Sequence, residues 1–190
     1  MNVVDLASVP EQPWRNGGGG TRELLAWPPG AAWQCRVSVA YITRDGGFSA
    51  FRGVERWFAV IDGAGVELDF ATGRVPLSAE SEPCRFDGAA PPGCRLLAGR
   101  TRDLNLMVHS ASGQGRMHRL VPGQAWHSDA AWRAVFTAGA LRLQVGAKAV
   151  ITLPAGSLAW TEDGADTPWQ ATAPIDAATA WWLAFHRHCT

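Results

Sequence analysis

The chain has 190 residues, 47% of them apolar, with 17 basic and 17 acidic side chains and a formal net charge of zero. That apolar content supports a packed core and argues against disorder. The basic residues are arginines scattered singly, with Lys148 the only lysine, which argues against nucleic acid as the main partner, since phosphate neutralisation needs a concentrated basic face.

In chain order, the first notable segment is Trp14-Arg15-Asn16-Gly17-Gly18-Gly19-Gly20-Thr21-Arg22-Glu23. Glycine loses the most backbone entropy on ordering and packs nothing, so the tract is predicted to be a loop that brings bare backbone close to a partner. It is not a phosphate-cradling P-loop, because no Gly-Lys-Ser/Thr follows. Residues 34–42 alternate polar and apolar side chains and end at a turn cluster, which predicts a strand. Residues 55–61 and 65–70 flank Asp62-Gly63, a hairpin signal. Shorter segments follow at 85–88, 94–97 and 104–108. Ser112-Gly113-Gln114-Gly115 reads as a break, after which strands are predicted at 118–121, 132–137, 141–145, 149–153, 157–160 and 179–185. Pro154-Ala155-Gly156 and Glu162-Asp163-Gly164 supply turns between them. No amphipathic helix stands out. Many short strands separated by Gly and Pro predict an all-β protein, and the break divides the strands into two sets, residues 1–112 and 113–190.

The four cysteines (Cys35, Cys84, Cys94, Cys189) form no Cys-x-x-Cys motif and are expected to be reduced, small apolar residues, with a Cys84–Cys94 disulfide across a hairpin as the alternative. Ten tryptophans against one tyrosine are expected mostly in the core, with a few on a pocket wall. No apolar run reaches the roughly 20 residues of a membrane helix, and nothing at the start resembles a signal peptide. The expected address is the cytoplasm.

Three blocks together resemble the HutD/Ves family: Trp14-x-Asn16-Gly17-Gly18-Gly19-x-Thr21-x-Glu23; Phe51-x-Gly53-Val54-Glu55-Arg56 with Asp62-Gly63-x-Gly65; and Phe86-x-Gly88, Leu97-x-Gly99 and Asp103-Leu104-Asn105-Leu106-Met107. They cover roughly residues 10–110; beyond that only the strand pattern is similar. The resemblance implies a cupin-like (RmlC-type) jelly roll with two β-barrels in one chain, a bicupin. It implies a regulatory protein associated with histidine utilisation or with a stress response, sensing a metabolite such as formiminoglutamate, formylglutamate or urocanate.

Metal-dependent cupins use a His-x-His motif and a distant third histidine. Here the corresponding stretch is Phe51-Arg52-Gly53-Val54-Glu55-Arg56-Trp57, and no histidine precedes His109. His118, His127, His186 and His188 lie outside the motif positions, and the last two are expected on a solvated tail. Neither a metal nor another cofactor is expected. Arg56 is the foremost ligand-binding candidate: alternation puts it on one face with Phe58, opposite Glu55, Trp57 and Ala59. A guanidinium facing a barrel lumen suits a carboxylate, whereas on a solvent face it is an ordinary surface charge or a partner for Glu55 or Glu67. Asn105 shares a face with Asp103 and Met107 and either orders a loop or reads a ligand. Asn16 and Thr21 are expected to hold the glycine loop over the barrel mouth with Trp14 as lid. The backbone amides of Gly17 to Gly20 would act as anion donors, Gly18 and Gly19 among the ligand-binding residues, with Glu23 and Glu55 supporting Arg56.

Three functions remain open at this point. The first is a non-catalytic cytoplasmic protein that binds a small carboxylate metabolite, with no direct nucleic-acid or membrane partner. The second is a metal-independent isomerase or hydrolase using Glu23 or Glu55. The third is an interaction protein, for example a homodimer joined through a sheet edge.

Overall fold

The computed structural model describes residues 1–147, 149–162, 167–171 and 179–188; Lys148, Asp163, Gly164 and Cys189 lie outside them. In chain order the strands begin with β1 (Asn2–Asp5), β2 (Gln12–Pro13), β3 (Gly19–Trp27), β4 (Cys35–Ile42) and β5 (Gly46–Gly47). Next come β6 (Val54–Asp62), β7 (Val66–Phe70), β8 (Gly73–Leu77), β9 (Cys84–Asp87), β10 (Gly93–Leu96) and β11 (Thr101–His109). The second run is β12 (Gly113–Arg119), β13 (Ala125–Trp126), β14 (Trp132–Thr137), β15 (Leu141–Val145) and β16 (Ala149–Leu153). It closes with β17 (Ser157–Thr161), β18 (Trp169–Ala171) and β19 (Ala180–Arg187). Among the described residues the only helical turn is the 3-10 segment Leu6–Ser8.

The fold is all-β, and these strands make four antiparallel sheets. A six-stranded sheet (β2-β3-β4-β11-β6-β9) faces a four-stranded one (β5-β10-β7-β8), and a five-stranded sheet (β1-β17-β14-β19-β12) faces another of four (β13-β18-β15-β16). The first pair draws on residues 12–109. The second draws on residues 113–187 together with β1, whose Asn2–Asp5 pair with Trp160–Ser157 of β17. The opening strand therefore belongs by pairing to the second set of sheets.

The six- and five-stranded sheets pack against each other, and this seam holds the largest apolar cluster. Val37, Val39, Leu104, Leu106 and Val108 meet Trp132, Phe136, Trp181, Leu183 and Phe185 there. Each fully buried side chain of this kind contributes about 1.5–3 kcal/mol. Central strands covered on both faces read as continuous apolar runs, and all six residues of β14 are buried. Because Leu104, Leu106 and Val108 face the seam, pleating turns Asp103, Asn105 and Met107 into the first barrel. The same argument sends Arg56, Phe58 and Val60 of β6 into that lumen and Ala59 and Ile61 to the seam.

Two glycine-rich segments depart from the expected loops. Gly19 and Gly20 open β3 rather than lying in a loop, and Gly113 and Gly115 lie in β12 rather than in a break. A Cβ at Gly113 would overlap the His186 carbonyl oxygen and the Phe185 ring. Gly19 and Gly113 permit close approach of packed backbone, while Gly20 and Gly115 make room for the side chains of Glu11 and of Val108 and Trp57. Cys35, Cys84 and Cys94 are free thiols, two of them buried in apolar clusters. His186 lies on β19, 3.5 Å from Asp129, rather than on a frayed tail.

Candidate ligand-binding site

The first barrel contains a pocket of about 450 Å³ between β3, β4, β6, β11 and the β5 loop. Its inner wall follows from strand register. Met107 stands directly opposite Arg36 on β4 and Arg56 on β6, and Asn105 stands opposite Ser38 and Phe58. Glu23 of β3 continues the second row beside Ser38. Two arginines, a carboxylate, an amide and a hydroxyl thus project from neighbouring strands into one space, closed on other sides by Trp14, Phe48 and Phe51.

Arg56 is 5% exposed. Its Nη2 donates to Asn105 Oδ1 at 2.7 Å, while Nε finds no partner among the described residues. The guanidinium lies 5.0 Å from the Phe48 ring centre and 5.2 Å from that of Phe86, where the ring faces attract a cation. Burial pulls its pKa down to about 10, opposed by Asp103 and reinforced by Arg36, so the group carries its charge at neutral pH.

Behind this pair sits Asp103, with no exposed surface. Asn105 Nδ2 donates to Asp103 Oδ2, and Asp103 Oδ1 has no partner among the described residues. Burial pushes the Asp103 pKa up to about 8, against the opposing pull of Arg56 and of the Asn105 hydrogen bond. Desolvation wins because, among the described residues, the one amide is the only hydrogen-bond donor that reaches the carboxylate. The Asn105 amide stands between Asp103 and Arg56, bonded to both, so the two charged groups do not meet directly.

Arg36 was not among the residues anticipated from sequence. It lies 3.5 Å from Glu23 Oε2, donates to Met107 Sδ at 3.3 Å, and its guanidinium sits 5.5 Å from the Trp33 ring and 5.7 Å from that of Phe51. The signal that finds it is alternation: Cys35, Val37 and Val39 make the apolar face of β4, so Arg36 and Ser38 share the other.

The glycine signature forms a tight turn between β2 and β3. Gly17 N–H donates to the Trp14 carbonyl at 2.9 Å, and Gly18 N–H donates to Asn16 Oδ1 at 2.9 Å. Trp14 N–H donates to the Gly19 carbonyl at 2.9 Å, and Trp14 Nε1 donates to Thr21 Oγ1 at 2.7 Å. Trp14, Asn16 and Thr21 reach the pocket wall, but Gly18 and Gly19 do not line it. The expected anion nest is therefore corrected, since the Gly18 amide is already spent inside the turn. Gly19 serves packing: a Cβ there would overlap the Tyr41 carbonyl oxygen.

The expected support of Arg56 by glutamates is also corrected. Glu55 lies on the opposite face of β6, where it accepts from Trp57 Nε1 at 3.0 Å and pairs with Arg85 at 2.7 Å. Glu23 does enter the pocket but pairs with Arg36; Asn105 is the partner of Arg56. Among the described residues no three His, Cys, Asp or Glu side chains cluster as metal ligands would. A second hollow of about 430 Å³ lies at the barrel seam. Its arginines are engaged, Arg22 by the Leu6 and Val9 carbonyls and Arg102 by Asp62.

The HutD family model matches residues 6–180, extending well past the three signature blocks. Protein Ves of Citrobacter koseri is 34% identical over 110 residues, 57% of this chain, and the chain covers 58% of that protein's length. A 21.2 kDa Pseudomonas putida protein in the hutC 3′ region is 32% identical over 144 residues, 73% of this chain and 74% of that one. HutD from Pseudomonas fluorescens SBW25, solved in a formate condition, superposes with a TM-score of 0.84 at 25% identity, over 99% of each chain. Further structural neighbours at 10% identity are cupin-fold proteins, a likeness of fold alone.

Proposed function

The chain belongs to the HutD family, and from that premise we propose that it is a non-catalytic cupin that binds a small carboxylate metabolite in the first barrel and thereby modulates amino-acid catabolism. The observation that carries this reading is Arg56, a buried cation that faces an open pocket and whose one hydrogen-bonded side-chain partner among the described residues is a neutral amide. A carboxylate would supply the missing counter-charge to Arg56. Asn16 and Thr21, with Trp14 over them, would contribute polar contacts at the mouth, and Arg36 would add a second cation. The Pseudomonas putida relative lies beside hutC and a structural relative is HutD, so histidine-pathway acids such as formiminoglutamate, formylglutamate and urocanate are the leading ligands. The reading includes a cytoplasmic address and no direct nucleic-acid partner. Among the described residues no helix is long and apolar enough to cross a membrane.

Thermal unfolding against a panel of these acids, with formate and glutamate as simpler members, tests the proposal. A ligand at 100 times its Kd adds about 2.7 kcal/mol to stability. The expected outcome is an upward shift with at least one acid in the wild type and none in Arg56→Ala. A panel with no effect on the wild type would count against the carboxylate.

A further inference from the structure

We infer that Asp103 is a positioning residue for this pocket: its buried carboxyl fixes the Asn105 side-chain amide with the carbonyl turned toward Arg56, and so sets the orientation of the guanidinium. The inference rests on the carboxylate-binding reading only for its effect on ligand affinity.

Asp103 does not line the pocket and has no exposed surface, so it has no direct contact to offer a ligand. Among the described residues its one hydrogen-bond partner is Asn105. A primary amide has a donating and an accepting end, and which end faces which neighbour is decided by those neighbours. Here the donating end meets a carboxyl oxygen and the accepting end meets the Arg56 Nη2 at 2.7 Å. The reversed amide would set N–H against N–H at Arg56, and oxygen against oxygen at Asp103 wherever that carboxyl is ionised. The other ionisable groups nearby are Arg56 on β6, whose charge acts on Asp103, Arg36 on β4, whose charge acts on Arg56, and Cys94 on β10, whose thiol is pushed up by burial and by Asp103 and Asp45. None of them substitutes for the acceptor that Asn105 needs. A carboxyl buried with one oxygen unpartnered is costly. Thr101 on the same strand shows the contrast, because its hydroxyl is used structurally, bonding the Gly65 backbone.

The test uses the full chain as wild type, Asp103→Asn and Asp103→Leu. Asparagine keeps the acceptor oxygen and removes the charge; leucine removes the acceptor. Nitrogen-detected NMR of the Arg56 guanidinium and the Asn105 amide needs no ligand. In the wild type, both sets of resonances should titrate with one shared midpoint above the ordinary carboxylate range. In Asp103→Asn they should be flat with pH but keep the slowed exchange of a bonded guanidinium, and in Asp103→Leu that slowing should be lost. Should Asp103→Leu fail to fold, the wild-type titration decides alone: resonances of Arg56 and Asn105 that ignore the Asp103 midpoint overturn the inference. Formate titration adds the functional arm. Asp103→Leu should bind about tenfold more weakly and Asp103→Asn within about threefold of wild type, the loss expected for one misdirected charge-assisted hydrogen bond. Equal formate affinity in all three chains overturns the positioning role. No formate binding by the wild type counts against the carboxylate reading instead, and the guanidinium resonances still settle Asp103.

Discussion

The two barrels solve the same problem in opposite ways. Each turns an arginine inward from a central strand of the seam sheets and lays it over an aromatic ring: Arg56 lies 5.0 Å from Phe48, and Arg133 on β14 lies 4.9 Å from Trp169. Arg133, with no exposed surface, donates to the main-chain carbonyls of Thr167 at 2.7 Å and Ser128 at 3.4 Å. Trp126 and Trp182 stack beside it with ring centres 4.7 Å apart, and Trp169 meets both. Among the described residues these rings crowd the second lumen, and main-chain carbonyls of the chain itself accept from its arginine. In the first barrel the arginine has an amide partner and open volume in front of it. A buried cation alone does not make a site; the space and counter-charge left unsupplied around it do.

The largest effect is expected at Trp169 in the second barrel. Trp169→Ala removes a fully buried indole and should cost about 3–5 kcal/mol of stability in urea denaturation. Carboxylate affinity should stay unchanged if the barrels divide the work as described. A smaller effect comes from pH. The Asp103 pKa is raised to about 8 in the folded chain, whereas in the unfolded chain it returns to about 4. The folded state therefore holds an extra proton between these values, so this group's stability contribution is full below about pH 4, declines as pH rises, and is lost above about pH 8. Each unit of the shift is worth about 1.4 kcal/mol, and Asp103→Asn should remove that slope from a stability–pH series. Smallest is Glu23→Gln, which frees Arg36 from a partly exposed pair and should tighten carboxylate binding by about 0.2–1 kcal/mol in a calorimetric titration. Any turnover lost in Glu23→Gln with binding intact would instead favour the enzymatic alternative.

Much of the first barrel was legible because pleating is a local rule. Alternation placed Arg56 with Phe58, and Asn105 with Asp103 and Met107, on faces that the structure shows to be lumenal. The same rule applied to β4 points at Arg36, but a lone arginine in a strand has no sequence mark of its own. Glu55 was drawn to Arg56 by adjacency, and adjacent residues in a strand face opposite ways. Glycine misled in both tracts, because a residue that frees the backbone and one that lets two backbones touch look alike in sequence. The pairing of β1 with β17 joins residues over 150 positions apart and leaves no local signal at either end. The ring cluster around Arg133 depends on which indoles meet in space, which their number in the sequence does not reveal.

The most direct test of the account is calorimetric titration of formylglutamate and formate into three chains side by side: wild type, Arg56→Ala and Arg133→Met. Truncating an arginine that holds a buried carboxylate costs about 2–5 kcal/mol, so Arg56→Ala should fold normally and lose measurable binding. Arg133→Met should be destabilised yet bind as the wild type does. Binding that survives in Arg56→Ala, or that disappears only in Arg133→Met, would contradict the assignment of the site to the first barrel.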